Sequence, residues 1–257
     1  QPDAQSPAGG VSSSVNDVAQ WMSFLLQNGS YKGRTVVKAE GLLPAISGQI
    51  VNEPPSKDPT VRPNQYGYGF NVGTSTAGRV KLSHSGAFML GAGTAFTAIP
   101  AAGVAIVTLT NAAPVGAAEA LNMTFEELVE SGASSTDWIS LFAQRFLAFY
   151  APEGSLAGQQ PPSQPVAALD SSAYTGTYVN SYYGNAVVEA SGSGLVLKMG
   201  PTGAKLFALR HWSGNTYVFD LSGENAPLGS LARIHFKPDA TGVSGRLAMD
   251  YYAEAKG

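Results

Sequence analysis

The residues best suited to chemistry are His84, Ser85 and Gly86, three in a row within the stretch VKLSHSGAFMLGAG at residues 80–93. An imidazole titrates close to neutral pH, so His84 can donate or accept a hydrogen bond under ordinary conditions. A glycine keeps the backbone open, because a Cβ would obstruct the approach of another molecule. The stretch begins like an edge strand, along which a substrate backbone could pair. The alternative is a chance turn without a function.

A helix and several strands must position this stretch. The helix is predicted for SSVNDVAQWMSFLLQNG, where Ser14 and Asp17 form a capping pair and Gly29 suits the position after the last turn. Its apolar residues recur at helical spacing and predict one buried face: Val18, Trp21, Met22, Leu25 and Leu26.

The remaining segments before residue 150 predict a sheet covered by helices. Four segments are typical of strands, and the last two of them are joined by a tight turn: QYGYGFNVG, RVKLSHSG, GTAFTAIP and GVAIVTLTN. Two helices follow, AAEALNMTFEELVESG and TDWISLFAQRFLAFY. The fold class is therefore α+β, an antiparallel sheet with packed helices.

The composition changes at residues 151–165, APEGSLAGQQPPSQP, which predicts a linker between residues 1–150 and residues 166–257. The alternative is a long surface loop within one domain. After the linker, seven short β-like runs separated by turn signals predict a small all-β, lipocalin-like barrel or a sandwich.

Composition excludes several classes of protein. A net charge of −3 and the absence of a basic cluster argue against nucleic acid as a partner. The chain has no cysteine, which excludes thiolate catalysis and cysteine zinc sites. No apolar run approaches the ~20 residues of a membrane span. The motifs require no cofactor or metal, and we expect neither.

Three stretches together resemble the class C β-lactamase and penicillin-binding-protein superfamily of serine hydrolases, over roughly residues 6–150. They are SPAGGVSSSVNDVAQWMSFLLQNG, YGYGF and HSGAFMLGAGTAFTAIPAAGVAIVTLTN. The segment after the linker resembles the small β-barrel appended to many members. The superfamily uses an S-x-x-K nucleophile, a Tyr-x-Asn or Ser-x-Asn element, and a K-T-G or H-x-G triad on a strand beside the site. His84, Ser85 and Gly86 match the triad.

The resemblance implies roles for these residues. His84 would take the place of the usual lysine and bond near the nucleophile or a substrate carboxylate. The backbone N–H of Ala87 would be an oxyanion-hole donor, while Ser85 and Gly86 would line the substrate. It also favours a periplasmic or secreted protein.

The S-x-x-K element does not occur in the 257 residues. Two Tyr-x-Asn matches, at residues 178–180 and 183–185, lie downstream of the triad, whereas the family places that element upstream. We therefore expect this chain to be the C-terminal portion of a hydrolase, inactive alone. Its partner would be the N-terminal portion carrying the serine, or else a second copy of itself.

Other candidate residues are assigned to structure. His211 and His235 lie in strand patterns without a spaced second ligand. Glu126, Glu127 and Glu130 are interpreted as a solvated helix face rather than catalytic carboxylates. The leading hypothesis is thus one wall of an acyl-serine hydrolase acting on an ester, an amide or a β-lactam. The alternative is a non-catalytic binding module derived from that fold.

Overall fold

The computed structural model describes residues 6–52, 57–58, 60, 62–224 and 226–250. The chain divides into two compact units, Gln1–Ala148 and Phe149–Gly257. Each unit has its own hydrophobic core. The first unit consists of α1 (Ser6–Gly9), α2 (Val15–Leu26), β1 (Ser30–Tyr31), β2 (Arg34–Thr35), α3 (Ala39–Leu42), β3 (Ile50–Val51), β4 (Gln65–Tyr66), β5 (Asn71–Thr74), β6 (Val80–Phe88), β7 (Ala92–Ile99), β8 (Val104–Thr110), α4 (Ala117–Ser131) and α5 (Trp138–Phe146).

Strands β3 to β8 form one antiparallel sheet in chain order, and β1 pairs with β2 separately. Helix α2 covers one face of this sheet. Its predicted cap is confirmed, because the Ser14 hydroxyl accepts the backbone N–H of Asp17 at 3.2 Å. Met22 and Leu25 of α2 are buried with Leu82 of β6 in the core.

Helix α4 covers the opposite face. Successive side chains of a strand point to opposite sides, so Lys81 lies across the sheet from Leu82. Lys81 meets Glu126 of α4 there, with 2.9 Å between Nζ and Oε2. The sheet is therefore held between two helices, as the predicted α+β class requires.

The prediction of a solvated acidic face on α4 is wrong for Glu126 and Glu130, whose side chains are 1% and 2% exposed. Both side chains point towards the sheet, where Lys81 of β6 pairs with Glu126 and Arg79, just before β6, pairs with Glu130. Leu121 and Leu128 of the same helix are half exposed instead. A charged face is buried in this helix because its partners are supplied by the strand beneath it.

The second unit is a nearly closed barrel of seven antiparallel strands in chain order, which confirms the all-β prediction. Its strands are β9 (Gly176–Asn180), β10 (Gly184–Ser191), β11 (Gly194–Met199), β12 (Lys205–Ser213), β13 (Thr216–Asp220), β14 (Leu231–Pro238) and β15 (Ser244–Met249). Large apolar side chains fill its interior, among them Tyr174, Phe219 and Phe236.

Part of the segment predicted as a linker is bonded to this barrel. The backbone N–H of Leu231 donates to the carbonyl of Glu153 at 2.8 Å, and the backbone N–H of Ser155 donates to Asp250 at 3.0 Å. Gly154 lies between them with φ +106°, and a Cβ there would come within 1.8 Å of the Leu231 carbonyl oxygen. Only glycine allows this close approach.

Two further observations concern the described residues. None of their helices combines the length and the apolar character that crossing a bilayer would take. No three His, Cys, Asp or Glu side chains among them gather as metal ligands would.

Candidate functional site

The H-S-G residues lie in the second half of the nine-residue strand β6. Strand β5 pairs with residues 80–83 of β6 and begins at Asn71, which pairs with Ser83. From His84 to Phe88, β6 pairs with β7, and no other strand of the described part of the chain pairs with it. We call the side of residues 84–88 that faces away from β7 the free edge.

The free edge is open to solvent. Ser85, Gly86 and Ala87 are exposed, while His84 is half-buried. A Cβ on Gly86 would come within 3.3 Å of Thr94 Oγ1, a tight contact on the neighbouring strand β7. Packing against β7 is therefore a second reason for a glycine here. The first, suggested by the sequence, is that a glycine lets another molecule approach the backbone.

His84 uses both of its ring nitrogens. Nδ1 lies 2.8 Å from the carbonyl oxygen of Ser85, and Nε2 lies 2.9 Å from the hydroxyl of Tyr66. The Tyr66 ring meets the imidazole edge-on, with 5.8 Å between their centroids. Tyr66 lies in the predicted strand QYGYGFNVG and in the YGYGF stretch that carries the family resemblance, but no role is predicted for it from the sequence. Nothing in the spacing marks the first of the two tyrosines in that stretch.

Ser83, His84 and Ser85 line an open cleft of about 130 Å³ between the sheet and helices α4 and α5. The cleft is also lined by Lys81, Glu119 and Asn122. Burial raises the pKa of the Glu119 carboxyl above its ordinary value. This cleft brings polar groups beside the strand that carries His84.

A network of polar side chains fixes β6 to α4. Glu126 accepts a hydrogen bond from Lys81 at 2.9 Å and one from the backbone N–H of Thr76 at 3.3 Å. One helical turn further, Glu130 accepts bonds from the Ser75 hydroxyl and the Ala77 N–H, both at 3.1 Å.

A signal for this network is present in the sequence. Asn122, Glu126 and Glu130 are spaced by four and so share a helix face, while Arg79 and Lys81 are spaced by two and share a strand face. The complementary charges of the two spacings could have indicated the pairing.

The histidines assigned to structure are bonded locally in the barrel. His211 Nε2 lies 2.9 Å from the Gly214 carbonyl oxygen, and His235 Nδ1 lies 3.0 Å from the Thr216 hydroxyl.

The sheet between α2 and α4, with H-S-G on a strand that extends beyond its neighbour, defines the α+β fold of β-lactamase-like serine hydrolases. The Beta-lactamase family model matches residues 1–129, just over half of the chain, and the chain belongs to this family. A second model, described as a domain of unknown function (DUF3471), matches residues 160–256.

Solved structures are similar over different parts of the chain. The C-terminal domain of penicillin binding protein Rv0907 is 36% identical over 38% of this chain and 90% of its own, with a TM-score of 0.34. The octameric penicillin-binding protein homologue from Pyrococcus abyssi is 16% identical over 92% of this chain, with a TM-score of 0.39. This chain spans 46% of that homologue's length. No curated protein matches.

Proposed function

We propose that this chain forms one wall of the active site of an acyl-serine hydrolase acting on an ester, an amide or a β-lactam. In this proposal the nucleophilic serine of an S-x-x-K element comes from a segment outside these 257 residues. Membership of the family supports the reaction class. The absence of S-x-x-K from the sequence supports an external nucleophile.

The observation that carries the proposal is the free edge of β6. An extended substrate can add to such an edge through main-chain hydrogen bonds, and Gly86 presents no side chain to hinder it. Alternate N–H groups of an edge strand point away from the sheet. We assign the outward N–H of Ala87 to the oxyanion hole, where one such donor stabilises the transition state by about 3 kcal/mol.

His84 occupies the lysine position of the triad in this proposal, and Ser85 lines the substrate beside it. An imidazole there supplies an uncharged contact when it is deprotonated, which a lysine does not. The proposal therefore predicts that replacing His84 by alanine in the assembled hydrolase lowers kcat/KM by about one to three orders of magnitude.

The partner that we propose is the polypeptide segment carrying the serine. Strand β8 ends the described sheet, and Leu109 of this strand is 37% exposed. Unpaired strand edges and exposed apolar side chains favour association. A second copy of this chain is the competing occupant. By analogy with the family we also propose a periplasmic or secreted location, which fractionation of the source cells would test.

The proposal is tested first on this chain alone. It should neither hydrolyse nitrocefin or p-nitrophenyl acetate nor take up a fluorophosphonate probe, as judged by intact mass. Amide hydrogen exchange should show rapid exchange at Ala87 and protection at Gly86 and Phe88, whose N–H groups then face β7. A labelled serine within the 257 residues, or a protected Ala87 amide, would refute the assignment.

The second test uses the hydrolase that contains this chain. The fluorophosphonate should label a serine of an S-x-x-K sequence, and Ala87→Pro should slow labelling about 10²–10³-fold by removing one donor. Ala87→Gly keeps the N–H and is the matched control. If no serine is labelled in that protein, the non-catalytic binding module replaces the hydrolase.

A further inference from the structure

We propose that Tyr66 is the positioning residue for His84, and that the Tyr66–His84 pair presents a hydrogen-bond acceptor rather than a cation to the substrate. The catalytic meaning of this pair rests on the proposed function, because the substrate is expected along the free edge beside His84. The pairing itself stands on the geometry of this chain.

In the neutral imidazole, the two hydrogen bonds determine the proton positions. A carbonyl oxygen only accepts, so the 2.8 Å contact between Nδ1 and the Ser85 carbonyl places the imidazole proton on Nδ1. In the neutral ring Nε2 is then an acceptor, and the Tyr66 hydroxyl donates to it across 2.9 Å. The hydroxyl proton is thereby used inside the protein, and a lone pair on Tyr66 Oη remains to accept a bond from outside.

Tyr66 is itself held by a built scaffold. Its carbonyl accepts the backbone N–H of Gln49 at 2.8 Å, and the next residue, Gly67, donates to the Phe70 carbonyl at 2.8 Å. A Cβ on Gly67 would lie 2.0 Å from the Ala45 carbonyl oxygen. This close packing fixes the backbone that carries the Tyr66 ring.

The position of Tyr66 in the sheet explains its reach. Tyr66 pairs with Asn71 and Asn71 pairs with Ser83, so the three residues form one row across β4, β5 and β6. His84 is the next residue along β6, just past the start of β5. The Tyr66 side chain therefore reaches His84 at the place where the free edge begins.

This arrangement predicts substrate preference at the site. A lysine at the triad would attract a substrate carboxylate, whereas an acceptor oxygen on Tyr66 favours a donor such as an amide N–H. We infer that the substrate class is a neutral ester or amide with an N–H group near this position, and that a carboxylate there is disfavoured.

The experiment is side-chain NMR on the intact chain, which has only three histidines to assign. At about pH 8.5, above the ordinary titration range of histidine, His84 should show the Nδ1–H tautomer with a hydrogen-bonded Nε2. Tyr66→Phe should shift the His84 Nε2 resonance and mix the tautomers, leaving His211 and His235 unchanged. Tyr68→Phe is the matched control, because Tyr68 is 66% exposed.

The reverse variant makes the test independent of folding effects of Tyr66→Phe. His84→Ala should move the Tyr66 ring resonances and leave those of Tyr68 in place. An Nε2–H tautomer in the unaltered chain, or a His84 spectrum insensitive to Tyr66→Phe, would overturn the positioning role. These spectra do not depend on finding a nucleophile. The Tyr66–His84 pairing can therefore fail while the hydrolase assignment stands, and the hydrolase assignment can fail while the pairing stands.

In the hydrolase that contains this chain, Tyr66→Phe should reduce the preference for neutral amides over carboxylate-bearing analogues by about tenfold, which is about 1.4 kcal/mol. The change should fall mainly on KM, since the contact is made with bound substrate as well as with the transition state. An unchanged preference would refute the acceptor role even where the NMR result holds.

Discussion

The ion pair between Lys81 and Glu126 offers a sharp test of how β6 is held. Glu126 has a side chain that is 1% exposed, and Lys81 one that is 21% exposed. Lys81→Met leaves the buried carboxylate with the Thr76 N–H at 3.3 Å, so the free energy of unfolding should fall by about 3–5 kcal/mol. Glu126→Gln leaves a cation that can still reach water, and should cost only about 1.5–3 kcal/mol.

Two further variants complete the comparison. Arg79→Met should cost at most about 1 kcal/mol, because Arg79 is 44% exposed and Glu130 keeps its bonds to Ser75 and Ala77. The double variant Lys81→Met/Glu126→Leu should recover most of the loss, since it leaves no buried charge.

The assay is urea unfolding followed by tryptophan fluorescence. The chain has three tryptophans, and a Trp212→Phe background leaves Trp21 and Trp138, both in the first unit, as reporters. If Lys81→Met cost less than Glu126→Gln, or less than about 1 kcal/mol, the reasoning from burial would be refuted.

Three other predictions concern separate elements. Ser14→Ala removes the cap of α2 and should lower the stability of the first unit by about 1 kcal/mol in the same assay; an unchanged urea midpoint would contradict it. The Ser134 hydroxyl is the main cause of the lowering of the Glu127 pKa to about 2, so the bonds that hold the 134–136 loop should persist above the unfolded value of 4.5 and be lost as pH falls towards about 2. NMR of the loop amides would show this loss, and a loop that detached already at pH 6 would rule the mechanism out. Tyr174→Phe should destabilise the barrel by about 1–3 kcal/mol, since the hydroxyl of this fully buried residue accepts the Leu169 N–H at 2.8 Å. The Trp212 fluorescence in urea should report that loss, and no change in barrel unfolding would contradict it.

The secondary-structure elements that the sequence predicts well are those that local signals specify. Helix α2 carries its cap at Ser14 and its apolar spacing within 17 residues, and the seven barrel strands are separated by turn residues. Both signals act between near neighbours in the chain, so they can be read without knowing the fold.

The features that the sequence did not reveal depend on contacts between distant segments. Glu126 is buried because Lys81, 45 residues earlier, lies beneath it, and a helical pattern alone treats a glutamate as solvated. Tyr66 meets His84 across 18 residues from a two-residue strand, which is too short to show alternation. The bond from the Leu231 N–H to the Glu153 carbonyl depends on the barrel in the same way, and the local composition of residues 151–165 gives no sign of it.

Strand β6 is held at its first residues and extends beyond β5 at its last residues. Residues 80–83 of β6 pair with β5, and Lys81 among them is bonded to the Glu126 carboxylate of α4. Residues 84–88 extend beyond Asn71, where β5 begins, and among the described strands they pair only with β7. The contacts of residues 80–83 and the pairing with β7 keep residues 84–88 extended without a strand on their other side. In the proposed hydrolase, a substrate pairing with residues 84–88 would meet a backbone already ordered when the protein folded, so binding need not supply that conformational entropy.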